Sequence, residues 1–184
     1  MRALLLLAGF WAGLSVAQAA DEDPASLFRK VCMGPGPFRQ ALSDFVEANG
    51  WKVMEGELLT GGPDGRTHSV PRSIAFPPQP WAAGKFPVLV SVSTAGEFDY
   101  CQVSDHALAM DRHLDRVRST LGLVGPGEDW SHIMRFPGSD GSDEKALQWS
   151  LSSESSDHVI FGESENIFPT TYLQRRRSST REKP

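Results

Sequence analysis

The sequence predicts a single α+β domain: a mainly antiparallel sheet with helices on one face, in two layers. Three observations predict it. Helical three-four spacing of apolar residues occurs in three segments, two of them before any strand pattern. Period-two segments follow, joined by short Gly, Pro, Ser and Asp clusters that connect neighbours antiparallel. The chain has 184 residues, and about 164 after a leader is removed, which is one domain with room for a real core. Helices and sheet then bury their apolar faces on each other.

The leader comes first. Arg2 precedes an apolar run from Ala3 to Val16, and Ala17-Gln18-Ala19 is a small-x-small cleavage site. Residues 1–19 therefore read as a secretory signal peptide, cleaved before Ala20 or Asp21. The run is shorter than the roughly 18 residues a membrane-spanning helix needs. The expected location is periplasmic or secreted. No cysteine follows the cleavage region, so no acceptor for a lipid anchor is expected there.

Asp23-Pro24 is an N-cap followed by a first-turn proline, and Leu27, Phe28, Val31 and Cys32 fall on one helical face. Gly34-Pro-Gly-Pro37 ends that helix. A second runs to Ala48, with Phe38, Ala41, Leu42, Phe45 and Val46 as its stripe and Asn49-Gly50 as its stop. Trp51 opens a strand reaching Leu59, and residues 61–65 are a turn. Five prolines between 71 and 87 leave only Ser73–Phe76 as a short edge strand. Val88–Ser93 and Glu97–Val103 form a hairpin around Thr94-Ala95-Gly96. Ser104 is the expected cap of a third helix, Asp105 to Leu121, carrying Ala107, Met110, Leu114, Val117 and Leu121 on one face. Strands are expected at Trp130–Phe136, Lys145–Ser153 and His158–Glu163, as a meander. No internal repeat is visible.

Charge divides the chain. The last ten residues carry five basic groups and one acid, and residues 21–173 carry a net charge of −10. Residues 20–174 are therefore expected to form the domain, and 175–184 a disordered basic tail. Such a body repels nucleic acid, while the tail offers weak contact with an anionic surface.

Cys32 and Cys101 are the two cysteines, an even count that suggests one disulfide in an oxidising compartment. Closing a loop of about 70 residues stabilises by roughly 4 kcal/mol in the chain-entropy picture.

Catalytic signatures are missing. There is no His-Glu-x-x-His, no phosphate-binding glycine loop, no Rossmann fingerprint and no Gly-x-Ser-x-Gly elbow. His106 and His113, seven residues apart, are separated by about 10 Å along a helix, too far for one metal ion. His132 and His158 fall on expected strands. Ser142-Asp-Glu-Lys145 matches a two-residue pattern of penicillin-recognising enzymes, but it sits in a turn without that pattern's partners. Asp140-Gly-Ser-Asp-Glu144 lacks the spaced ligands of a calcium loop. Trp81, in a proline-rich loop, is a candidate contact residue, as are His106, His113 and His132. No cofactor or metal is expected.

The order Phe28-Arg-Lys-Val-Cys32, a helix ending Asn49-Gly50-Trp51, then a strand reaching Cys101 resembles small exported bacterial proteins of uncharacterised function. The resemblance covers about the first 80 residues after the leader. It implies a periplasmic setting and a bridge between these two cysteines, and it brings no catalytic residues. The expected function is non-enzymatic binding of an envelope partner or ligand. The alternative is a hydrolase-like enzyme with a dispersed site drawn from His106, Asp111, His132 and His158.

Overall fold

A computed structural model describes residues 23–61, 67–78, 88–105, 110–129, 145–151, 157–164 and 170–179. The leader, Trp81, His106, His132, the strand expected at 130–136 and the acidic loop at 140–144 lie outside the described residues.

Helix α1 spans Pro24–Cys32. Asp23 caps it, its carboxylate accepting from the Ser26 backbone N–H at 3.2 Å and the Ser26 hydroxyl at 3.0 Å. The other Asp23 oxygen lies 2.9 Å from the Arg116 guanidinium, tying the start of α1 to a later helix. Leu27, Phe28, Val31 and Cys32 are almost fully buried, as their spacing predicts. Helix α2 spans Phe38–Asn49 and stops at Gly50, whose φ of 65° suits glycine. Trp51 is buried and meets Phe45 edge-on at 5.0 Å, so the strand starts one residue later than expected.

The strands are β1 (Lys52–Gly61), β2 (Thr67–Phe76), β3 (Leu89–Ala95), β4 (Phe98–Asp105), β5 (Glu128–Asp129), β6 (Lys145–Ser150), β7 (His158–Ser164) and β8 (Thr170–Ser178), with helix α3 (Met110–Leu121) between β4 and β5. They make one sheet in the order β1-β2-β3-β4-β8-β7-β6-β5, antiparallel at each pairing. The fold is α+β and mostly sheet. The strand order reads as two four-strand meanders meeting at the β4–β8 ladder, a doubling that no sequence repeat announces.

Three expectations need correction. β2 is a ten-residue interior strand rather than a short edge. Pro71 is tolerated because its ladder to β3 begins only at Arg72. Ser104 does not cap α3: it is buried within β4, opposite Leu89 and Tyr172, and β4 continues to Asp105. The boundary drawn at residue 175 cuts through β8. Arg175 is only 9% exposed, paired with Cys101 on one side and Val159 on the other. A strand with hydrogen-bonding neighbours on both edges is held by its backbone and needs few apolar side chains.

The main core collects Leu27, Phe28, Val31, Phe38, Leu42, Phe45 and Val117 from the three helices. From the sheet it takes Ala75, Val90, Val92, Cys101, Val103, Val159, Phe161 and Leu173, positions that register places on one face. We call this the helix side. Cys32 and Cys101 are bonded, with Cα atoms 5.6 Å apart, so the bridge joins α1 to the middle of the sheet as expected. Among the described residues no helix is long and apolar enough to cross a membrane. The disulfide is consistent with a protein outside the cytoplasm.

Candidate functional site

The face of the sheet opposite the main core is mixed: Ala146, Ile160 and Tyr172 form a small buried apolar cluster on it, and polar rows run beside them. The pleat sets it out in cross-strand rows. One row runs Arg72 (β2), Ser93 (β3), Tyr100 (β4), Arg176 (β8), His158 (β7), Ser150 (β6). The next runs Ile74, Ser91, Gln102, Gln174, Ile160, Gln148. Arg72, Ser93, Tyr100 and Arg176 are half-buried, whereas Ser91, Ser104, His158 and Gln174 are buried polar residues.

Hydrogen bonds fix the buried row. Gln174 Nε2 donates to Gln102 Oε1 at 3.1 Å, and Gln102 Nε2 donates to Ser104 Oγ at 2.7 Å. Arg72 Nη2 donates to Ser91 Oγ at 2.8 Å. The Arg176 guanidinium lies 5.1 Å from the centre of the Phe98 ring, which orients its plane. Tyr172 covers Gly162, and a Cβ there would collide with its ring. Together these groups form a preset lattice of donors and acceptors.

His158 sits at the end of the first row. Its Nδ1 is 3.1 Å from Gln148 Nε2 and 3.3 Å from Ser150 Oγ, so the amide donates and the ring accepts. Burial holds its pKa below the ordinary imidazole value. Arg176 pushes it the same way, and Asp157 and Glu128 oppose. Burial likewise raises the Tyr100 phenol, with Arg176 partly offsetting it, so the hydroxyl stays protonated and able to donate.

Charge is segregated across the sheet. Among the described strand side chains, register puts Lys52, Arg72 and Arg176 on the polar face, with Glu128 as its carboxylate at the far edge. Glu55, Glu57, Asp99, Asp105 and Glu163 are on the helix side with Arg175 and Arg177. The chain as a whole carries −5.

On the helix side the arginines serve the fold. Arg175 grips Asp157 through Nε at 2.9 Å and Nη2 at 2.8 Å, and its Nη1 donates to the Cys32 and Gly34 carbonyls at 2.9 and 3.1 Å. Arg177 donates to the Pro35 and Gly36 carbonyls and stacks 3.9 Å from the Phe38 ring centre. The Gly-Pro-Gly-Pro loop after the bridge is therefore clamped by the end of β8. Beside it, Phe38, Arg39, Val92, Thr94 and Asp99 line a pocket of about 180 Å³. That is below the roughly 300 Å³ at which small-molecule sites begin.

Of the contact residues proposed from sequence, His113 is half-buried on α3, away from the polar rows, and Trp81, His106 and His132 fall outside the described residues. Of the dispersed catalytic set, Asp111 lies on α3 and His158 on the polar face. Among the described residues no three His, Cys, Asp or Glu side chains are grouped to hold a metal. Sequence reasoning missed Arg72, Tyr100, Gln102, Gln174 and Arg176. The alternation Tyr172-Leu173-Gln174 was a strand signal, masked by the arginines after it. Compared with protein families, curated proteins and solved structures, the chain has no match.

Proposed function

We propose that this is an exported, disulfide-stapled binding domain of the bacterial envelope, periplasmic or secreted, and that its ligand surface is the polar face of the sheet. On a two-layer plan the helices occupy one face and leave the other for recognition. The observation that carries the reading is the lattice on that face. Four polar residues, Ser91, Ser104, His158 and Gln174, are at most 8% exposed, next to half-buried Arg72, Tyr100 and Arg176. Polar groups held rigid beside accessible ones bind without paying much ordering entropy. Binding is favoured over chemistry because the Ser150–His158 contact on this face shares its ring nitrogen with the Gln148 amide, which already donates to that base, and because among the described residues no three metal-ligating side chains are grouped.

The test is an amide chemical-shift titration of the full-length, oxidised protein with a panel of envelope solutes, namely amino acids, organic acids, sugars and peptidoglycan fragments. Shifts centred on residues 72, 93, 100, 102, 174 and 176 support the reading. Shifts confined to the helix side, or conversion of a bound solute into a product, overturn it.

A further inference from the structure

Residues 38–105 and 110–178 each run through one helix and then four antiparallel strands. The sheet order β1-β2-β3-β4-β8-β7-β6-β5 reads the same from both ends once β1 is matched with β5, β2 with β6, β3 with β7 and β4 with β8. We propose that the domain is a pseudo-dimer, one unit present twice about a two-fold axis through the Gln102–Gln174 pair, and that the β4 edge is a self-recognition surface whose partner is a second copy of that unit. The same chain supplies the copy, through β8. An unpaired β4 would leave a row of backbone N–H and C=O groups open. A self-complementary edge closes that row as an isologous dimer interface does.

Register supports this first. The hydrogen-bond pattern of an antiparallel ladder is symmetric about each directly opposed pair, so a two-fold there makes a residue face its own counterpart. Gln102 faces Gln174, and the axis carries the Tyr100–Arg176 pair onto the Tyr172–Ser104 pair. The offset between the units is then 72 residues, as from 102 to 174. The same offset carries α2, Phe38–Asn49, onto α3, Met110–Leu121, twelve residues each. Residue types agree at that offset: Tyr100-Cys101-Gln102 with Tyr172-Leu173-Gln174, and Leu42 and Phe45 with Leu114 and Val117. Both helices also stop in the same way. Gly50 and Gly122 have φ of 65° and 68°. The residue after each, Trp51 or Leu123, is buried and donates its backbone N–H to the carbonyl five residues back, at 3.1 and 2.9 Å. In the strands between, register matches Ala75 with Trp149, Val90 with Val159 and Val92 with Phe161, and all six belong to the main core. The offset is 74 for the first of these pairs and 69 for the other two, so insertions hide the repeat from the sequence.

The connections obey the same axis. β4 ends at Asp105 and α3 begins at Met110, so the end of β8 should lie beside the start of α2. It does: Arg177 donates to the Pro35 and Gly36 carbonyls, and its guanidinium lies 3.9 Å from the centre of the Phe38 ring. Among the described residues α1 has no counterpart, for a geometric reason. It packs over the β4–β8 seam, with Cys32 bonded to Cys101 of β4 and the Cys32 carbonyl accepting from Arg175 of β8. A helix lying across a two-fold axis has room for one copy only.

The test starts from the full-length, oxidised chain with a protease site placed between β4 and α3 and cut after folding. No covalent bond then joins the two units, because both cysteines belong to the first piece. Expected is a one-to-one complex by light scattering that re-forms when the pieces are separated in denaturant and mixed again. Pieces that stay apart overturn the proposal. Two uncut hybrids then ask whether the units are the same: residues 38–76 in place of 110–150, and 110–150 in place of 38–76. Both hybrids keep α1, the bridge and strands β3, β4, β7 and β8. Expected is that at least one of them melts cooperatively, with the circular dichroism of the parent and with its transplanted third strand protected from hydrogen exchange against its new neighbour. Loss of the cooperative melt in both hybrids overturns the proposal even if the cut pieces reassociate, since two unlike halves can also pair. A hybrid that melts cooperatively but leaves the transplanted strand unprotected counts as a failure of that hybrid.

Discussion

Arg175 joins three parts of the molecule through one side chain. Its fork closes on Asp157, its remaining nitrogen satisfies the carbonyls of Cys32 and Gly34, and its plane lies against Phe38 at 5.8 Å. Replacing it with leucine would strand a carboxylate 22% exposed and two carbonyls beside the bridge. We expect a loss of about 2–4 kcal/mol and a fall of roughly 10 °C in melting temperature. A drop of only a degree or two would show that the loop does not depend on the clamp. His158 makes a second residue-scale prediction. Burial depresses its folded-state pKa, so the unfolded chain binds the proton more readily. The stabilisation is then fully present above the unfolded value, about 6.5, and is lost as pH falls through the lower folded value. Melting curves from pH 8 to pH 4.5 should slope downward below about pH 6.5, and His158→Gln should flatten that slope. Parallel slopes in the two proteins would remove His158 as the cause.

Among the elements, β8 was the hardest to read and is the most central. It pairs along its length with β4 and with β7, and its backbone carries both ladders. Deleting residues 175–184 takes away Arg175, Arg176, Arg177 and the end of both ladders together. The truncated chain should therefore show no cooperative melt and little fixed near-ultraviolet dichroism. A truncated protein that melts within a few degrees of the intact one would restore the picture of a dispensable tail. β1 shows the opposite situation. It is an edge strand with Lys52–Glu57 exposed, and its Glu55 and Glu57 carboxylates accept from Ser73 and Ser69 across the pair. Charges on an exposed edge discourage pairing with another chain.

For the whole molecule, the bridge and the sheet order decide cooperativity. The two meanders meet only at β4–β8, and Cys32–Cys101 fastens α1 to β4 beside that seam. Both sulfurs belong to fully buried residues. Native protein should thus resist mild reductant and show no free thiol by mass spectrometry, and it should yield two thiols when unfolded. Reduced and refolded protein should be less stable by roughly 4 kcal/mol, as read from denaturant midpoints. Two alkylatable thiols in the native state would contradict the bridge.

The sequence by itself determined the local elements that announce themselves locally. Asp23-Pro24 and Asn49-Gly50 bound the first two helices because caps and stops act within a few residues. The β3–β4 hairpin followed from alternation and a glycine turn, and the pairing of Cys32 with Cys101 from an even count of two. Only the tertiary structure decided the rest. Arg175 is buried because Asp157 and the carbonyls of Cys32 and Gly34 converge on it from 18 and more than 140 positions away. Ser104 stays in a strand because Tyr172 of β8 lies opposite it. The polar face, with Arg72, Tyr100, Gln174 and Arg176 in register, exists only once β4 and β8 pair. Which residues stand side by side across a sheet is set by register between distant segments, and no single segment carries that information.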